Sequence, residues 1–488
     1  MRILLVHPNN YLNIGIPTGL ATLAAVLKQR GLVVDLFDFT FVKTASSVKR
    51  PLNVNPGIYL PTVYTLEDLV VDDPVQSLAE AFSAKLKAFK PDLIAISAMT
   101  SYFDEVIDLL RQVPPRCPVI VGGVHSTICP KDVLLKKEID FICVGEGEEL
   151  LVELSYCLAK GGNFTELENL GYKKNGRIFI NRCRPFIDLN ILPEPDWSLF
   201  DQRHLFRPFM GRVYRGSFYT MSRGCPGQCT YCVNGAMREA LKDCGRYFRF
   251  QSPATTARQL GYLKEHYGAT WFKFADDSIM LFNEQYLEEL AERLEPLSIQ
   301  FGCSVRPETT TERKVKLLKR MGCVAASVGI ESGNEALRKR VLNRYMSNQK
   351  IKQAVEILKN AGIRVSTFNM IGLPGETRKN VFETISLNKK LKVEAANVYI
   401  VYPYPGTVLS WQYKTKFRDA TGKIIPVSRA SSFAFSTMSP TEVEGLLATF
   451  DLYLRLPEKK WPQIRKAEGS CSAAIRLRQQ LYEQAVNI

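Results

Sequence analysis

Three cysteines stand within eight residues of the segment SRGCPGQCTYCVNG, at Cys225, Cys229 and Cys232, in the spacing Cys-x3-Cys-x2-Cys. Thiols this dense are metal ligands first. Four close a tetrahedral zinc site or an iron–sulfur cluster, whereas three leave one position open. Zinc with a fourth ligand elsewhere is one reading, but zinc sites normally repeat a close cysteine pair, and no such repeat is evident. Most other cysteines, among them Cys117, Cys143 and Cys157, sit in apolar surroundings and read as buried small residues. From Gln202 to Arg258, ten Lys or Arg surround the triplet against only Glu239 and Asp243. That field favours an anionic partner: a cluster with its thiolates, a cofactor phosphate, an acidic substrate or nucleic acid.

The triplet must be positioned by the chain around it. With 488 residues, 46% of them hydrophobic, there is room for two or three domains. Residues 1–160 alternate short β-branched runs (RILLV, LVVDLFDF, DLIAIS, PVIVGG, IDFICVGEG) with helical stretches, the pattern of an α/β, doubly wound, Rossmann-like parallel sheet. Residues 40–75 form a long polar connection, either a lid or partner contact or a plain surface insertion. A proline-dense linker occupies 161–205. A second series, 206–407, runs SFYTMS, the cysteine loop, WFKFAD, IQFGCSV, AASVGI, RVSTFNMIG and AANVYIVY. Six strands fall short of a closed barrel, so an open six-unit βα barrel is expected, with its ligand at the carboxyl mouth. Residues 408–488 look helical. No run of about 18 apolar residues and no signal-peptide profile appears, which predicts a cytoplasmic protein without a transmembrane segment.

The cysteine loop resembles the signature of the radical S-adenosylmethionine (SAM) superfamily, in which three cysteines hold a 4Fe-4S cluster and SAM chelates the fourth iron. Tyr231 matches the aromatic residue usual between the last two cysteines. Other stretches follow in the family's order at successive strand ends: KFADDSIM with Asp276 and Asp277, GCSVRPE with Ser304 and Arg306, SVGIESG with Glu331 and Ser332, FNMIGLPGET with Gly372 and Gly375. The resemblance implies that these residues bind cofactor. The backbone at 274–277 would receive the methionine amino group, and Glu331 or Ser332 would lie near the ribose or methionine moiety. It also implies one-electron cleavage of SAM, fed by a donor such as flavodoxin or ferredoxin.

Over about residues 1–410 the chain resembles the B12-dependent radical SAM enzymes, whose amino-terminal domain binds cobalamin. Gly122, Gly123 and His125 in VGGVHSTICP and Gly145 and Gly147 in VGEGEELL are the binding candidates it implies. Glycine lets backbone approach a large planar ligand closely. The Asp-x-His-x-x-Gly motif of many B12 proteins is replaced by VHPNNYLNIG, so His7 is not expected to ligate cobalt. The lower face is expected to be covered by residues near 97–103, and His125 to hydrogen-bond the cofactor or to order its turn. The leading expectation is a cobalamin-dependent radical methylase acting on an unactivated carbon of a small molecule. A radical oxidoreductase or cyclase is the alternative. A tRNA-modifying enzyme is a third, opposed by the lack of three extra amino-terminal cluster cysteines and of an RNA-binding barrel.

Overall fold

The computed structural model describes residues 1–45 and 75–486; most of the expected 40–75 lid or insertion lies outside the described residues. The first sheet has the order β2-β1-β3-β4-β5-β6-β7. Its parallel part comprises β1 (Arg2–His7), β2 (Val33–Asp38), β3 (Leu93–Ser97), β4 (Val119–Gly122) and β5 (Phe141–Cys143). These strands are buried on both faces, which is why they read as continuous apolar runs. β6 (Leu170–Lys174) and β7 (Arg177–Ile180) add an antiparallel edge, so this sheet runs beyond residue 160, into the stretch expected to be linker. The order 2-1-3-4-5 places a topological switch point between β1 and β3, and ligands of such sheets bind outside the strands' carboxyl ends there.

The second half opens with a hairpin of β8 (Phe206–Phe209) and β9 (Arg212–Arg215). Six parallel strands follow in the order β10-β13-β14-β15-β16-β17. They are β10 (Phe218–Tyr219), β13 (Trp271–Phe274), β14 (Gln300–Val305), β15 (Cys323–Glu331), β16 (Arg364–Ile371) and β17 (Ala395–Ile400). The sheet is open, β10 and β17 being its unpaired ends. A short antiparallel ribbon, β11 (Ser222–Arg223) with β12 (Arg249–Phe250), brackets the cysteine loop. The crossover helices begin with side-chain caps: Ser252 Oγ accepts from Thr255 N at 3.1 Å, and Asn283 Oδ1 from Tyr286 N at 2.8 Å. Such caps each contribute about 1 kcal/mol. Phe272, Phe274 and Phe301 join a core cluster with Leu260, Leu263, Leu287 and Leu290 of helices Pro253–Tyr267 and Glu284–Leu294. By the twofold alternation of a strand, the intervening residues face the barrel lumen.

At the carboxyl end, helices Pro440–Arg455, Trp461–Ala467 and Ser472–Val486 cover β17 through Leu446, Phe450 and Leu452. Before them the chain is largely irregular and returns to the first domain, where Arg418 pairs with Asp104 and Asp132, and Ile424 N donates to Asp104 at 2.5 Å. His204 makes a second tie: its Nδ1 accepts from Gly15 N at 2.9 Å while its Nε2 meets Asp38 at 2.7 Å. His7 lies beside Asp38, and burial pushes its pKa down. Among the described residues no helix is long and apolar enough to cross a membrane.

Candidate active site

The cysteine loop leaves β11 and ends at helix Val233–Ala240. Gly224 starts it at φ +83°, where an added Cβ would stand 2.4 Å from Tyr247 O. Only glycine fits that combination of torsion and contact. Cys225 is buried, and Cys229 and Cys232 are half-buried. Each sulfur has an N–H donor of its own: Gly227 N at 3.4 Å from Cys225, Arg306 Nη1 at 3.8 Å from Cys229, and Asn234 Nδ2 at 3.7 Å from Cys232. Burial raises the Cys225 thiol and pushes Cys232 to about 11, so binding a metal there would displace protons. Arg238 ties the loop down by donating to the carbonyls of Cys225 and Gly227.

Among the described residues no three or more His, Cys, Asp or Glu converge on one ion position.

The acidic candidates after β13 serve the loop. Asp276 is buried and accepts from Ser222 N at 2.7 Å, Met221 N at 3.1 Å and the Ser222 hydroxyl. Burial raises its pKa to about 6 against those bonds. Asp277 accepts from Asn234 Nδ2 at 2.8 Å, which places the amide beside Cys232. Ser304 is half-buried on a lumen-facing position of β14. Arg306 spans Cys229 and Glu308, whose carboxylate lies 2.9 Å from its Nη2. Glu331 ends β15 at φ +67°, with Arg344 Nη1 2.8 Å from its Oε1 and a hydrogen bond from Tyr231. Burial raises the Glu331 pKa and Arg344 opposes it.

Ser332 is fully enclosed, its hydroxyl accepting from Asn334 N at 3.2 Å. Gly372 (φ +76°) donates to Glu376 at 2.7 Å, and Gly375 (φ +70°) donates to Phe435 O at 2.9 Å. Thus Arg306, Glu331 and the three cysteines come together, while Ser332, Gly372 and Gly375 shape the turns around them. Sequence reasoning missed Glu308 and Arg344. The first lies inside the quoted GCSVRPE stretch. The second follows the left-handed Asn343 that ends helix Glu335–Leu342, which no spacing rule announces.

Below the loop lies a cavity of about 380 Å³ at the carboxyl edge of β1, β3, β4 and β5. Gly19, Gly122, Gly123, Gly145 and Gly147 line it, and Arg223, Gly224, Met237 and Arg249 from the second half close it. A Cβ on Gly19 would meet no atom of the described residues within 4 Å, so this glycine leaves space that a ligand can use. Glu146 joins the halves beside the cavity, 2.6 Å from Arg223 and 2.7 Å from Arg249, while Glu148 also binds Arg223 at 2.5 Å. Burial pushes the Glu146 carboxyl up, but the two guanidiniums outweigh it and hold the group below its ordinary range. His125 is not part of this lining. It is enclosed, with Thr100 Oγ1 3.1 Å from Nδ1, Asp132 3.5 Å from Nε2, and its ring against Phe103.

The family model of the Radical SAM superfamily matches residues 219–387, and that of the B12 binding domain matches residues 9–155. An uncharacterized methyltransferase of Pyrococcus horikoshii is 30% identical over 353 residues, 70% of this chain and 74% of that protein. The anaerobic magnesium-protoporphyrin IX monomethyl ester cyclase of Cereibacter sphaeroides is 27% identical over 346 residues; the match covers 68% of this chain and about half of the cyclase, 54%. In fold, the chain is similar to the radical SAM methyltransferase TsrM of Kitasatospora setae, solved with cobalamin and a [4Fe-4S] cluster. That likeness has a TM-score of 0.67 and 16% identity, covering 100% of this chain and 99% of that one. With both domains matched in order and most of an archaeal relative spanned, the chain belongs to the radical SAM enzymes that carry an amino-terminal B12 binding domain.

Proposed function

We propose that the protein is a cobalamin-dependent radical SAM methylase acting on an unactivated carbon of a small molecule. The observation that carries this reading is the glycine-lined cavity whose roof is the entry to the cysteine loop, so that a ligand seated on the first sheet abuts the metal-binding segment. Cys225, Cys229 and Cys232 would hold three irons of a 4Fe-4S cluster, leaving the fourth for the amino and carboxylate groups of SAM. Asp277, Ser304, Glu331, Gly372 and Gly375 belong to strand ends and turns around that place, and the cavity would hold cobalamin. When bound, these groups supply one-electron cleavage of SAM and a carrier for its methyl group.

The chain's own residues set the conditions. Gly227 N–H, Arg306 and Asn234 each direct a donor at one sulfur and offset thiolate charge. Arg344 favours the ionised form of Glu331 and pairs with Glu308 as well, which fixes two carboxylates near Arg306 and Cys229. Asp276 holds the strand that enters the loop, and Arg238 holds the carbonyls of Cys225 and Gly227 in its first half. His125, engaged by Thr100 and Asp132, orders the turn after β4 and does not line the cavity. No protein histidine is assigned to cobalt, and of the 97–103 segment Ser97 lines the cavity. The enzyme would work in the cytoplasm with a small electron-transfer protein such as flavodoxin or ferredoxin as donor.

Protein purified anaerobically and reconstituted with hydroxocobalamin should retain stoichiometric corrinoid through gel filtration. Replacing any of the three cysteines by Ala should abolish SAM cleavage while leaving corrinoid bound. A chain that rebuilds its cluster and cleaves SAM yet keeps no corrinoid would refute the methylase. The cyclase relatives support a second reading without methyl transfer. SAM carrying a deuterated methyl group separates the two, since only a methylase delivers the label to product.

A further inference from the structure

The donors on the three cysteine sulfurs are held in different ways. Gly227 N is main chain, and Arg306 is anchored by Glu308 at 2.9 Å. Asn234 Nδ2, 3.7 Å from Cys232 Sγ, belongs to a half-buried side chain in the first turn of helix Val233–Ala240 and must be oriented from outside. Two partners do this. Asp277 Oδ1 lies 2.8 Å from Nδ2, and the Tyr247 hydroxyl lies 2.8 Å from Oδ1.

A side-chain amide has two N–H donors at one end and an acceptor oxygen at the other. A carboxylate accepts and does not donate, so the nitrogen end faces Asp277, the oxygen end faces Tyr247, and the tyrosine is the donor. The second N–H of Asn234 is then left for Cys232. Turned over, the amide would set its oxygen against the Asp277 carboxylate. Without the tyrosine hydroxyl, Oδ1 has no donor among the described residues, and the amide is held at one end alone.

Tyr247 lies outside the cysteine motif, on the stretch leading into β12. Its ring runs beside Gly224, where an added Cβ would stand 2.9 Å from Cδ1 and Cε1, and its centroid is 6.3 Å from that of Phe186. All three residues line the cavity at the edge of the first sheet. The tyrosine therefore reaches from the cavity wall to the amide on Cys232. An N–H donor to a cluster thiolate favours the reduced state, which carries one more negative charge, and so raises the reduction potential.

We infer that Tyr247 is a positioning residue for the iron–sulfur cluster: by holding the Asn234 amide it keeps an N–H on the Cys232 sulfur and eases uptake of the electron that SAM cleavage needs. The inference rests on the proposal that Cys232 is a cluster ligand.

The full chain is reconstituted anaerobically with iron and sulfide, and its cluster is titrated with titanium(III) citrate in the presence of mediator dyes, followed by electron paramagnetic resonance. Tyr247→Phe and Asn234→Leu should keep wild-type iron content, and both should titrate at a more negative potential than the wild type. The double variant should titrate with Asn234→Leu, because the tyrosine has nothing left to hold. Wild-type potential in either single variant would overturn the inference. So would a double variant shifted by the sum of the two single shifts, since Tyr247 would then act by another route. Loss of iron in Tyr247→Phe would also overturn it, by assigning the tyrosine to assembly of the loop. Cys232→Ala is read separately for iron and for the cluster spectrum. A cluster that survives there fails the ligand assignment, whereas its loss beside an unmoved Tyr247→Phe potential confines the failure to this inference.

Discussion

Glu376 shows how one buried group couples this site to pH. It is fully enclosed, its Oε2 accepting from Gly372 N and Leu373 N, and its Oε1 lacks a partner among the described residues. Burial pushes its pKa from 4.5 up to about 8. The folded state therefore holds a proton that the unfolded chain gives up. The stability this contributes is fully present below pH 4.5 and is lost as pH rises through about 8. Glu376→Gln should flatten that decline in the melting temperature measured across the window, whereas an unchanged slope would show that another group titrates. Glu376→Ala should cost about 1–3 kcal/mol, because two buried N–H groups lose their acceptor. At this scale the sequence exposed the cysteines, Arg306 and Glu331 through motif resemblance. It hid Arg344 and Glu308 as their partners, because an ion pair that crosses between turns leaves no period in the chain.

Elements convert those residues into a site, and two glycines test the conversion. Gly224→Ala must either abandon φ +83° or push against Tyr247 O, and in both cases Cys225 moves next to it. Iron content after anaerobic reconstitution should fall well below that of the wild type, and wild-type iron in the variant would contradict the loop geometry. Gly19→Leu is the converse case. The position is helical and open, so the fold should gain up to about 0.8 kcal/mol from helix propensity while the side chain fills the cavity. Corrinoid retention should drop without loss of iron; equal retention would place the cofactor elsewhere. The parallel strands of the first sheet were legible because burial on two faces forces apolar runs, and those of the second because the face packed on the crossover helices is apolar while the other alternates half-buried. The β6–β7 edge and the β8–β9 hairpin were not, since their half-exposed and polar residues read as linker. The irregular stretch before helix Pro440–Arg455 was expected to be helical for a similar reason. Its course is set by Arg418, Lys423 and Ile424 reaching Asp104, Asp108 and Asp132 far back in the sequence, which no local pattern encodes.

For the molecule as a whole, the question is what holds two ligand-binding sheet edges against each other. Glu146 lies at the centre of that contact. It follows β5 of the first sheet, binds the guanidiniums of Arg223 and Arg249, and accepts from Ile187 N at 3.0 Å in the linker. Arg223 and Arg249 are the partners in the β11–β12 ribbon that brackets the cysteine loop. One carboxylate therefore joins the cavity wall, the linker and the entry to the metal-binding segment. Removing one member of a hydrogen-bonded charge cluster leaves the others uncompensated, at a cost of about 3–5 kcal/mol where the cluster is fully buried and less where, as here, it is half-buried. Glu148 remains to pair with Arg223, so Glu146→Ala should fall below that range. Because the network serves both halves, the variant should lose corrinoid and iron together, and below its global melting temperature. Loss of one cofactor with full retention of the other would show that the halves load independently and that Glu146 serves stability alone.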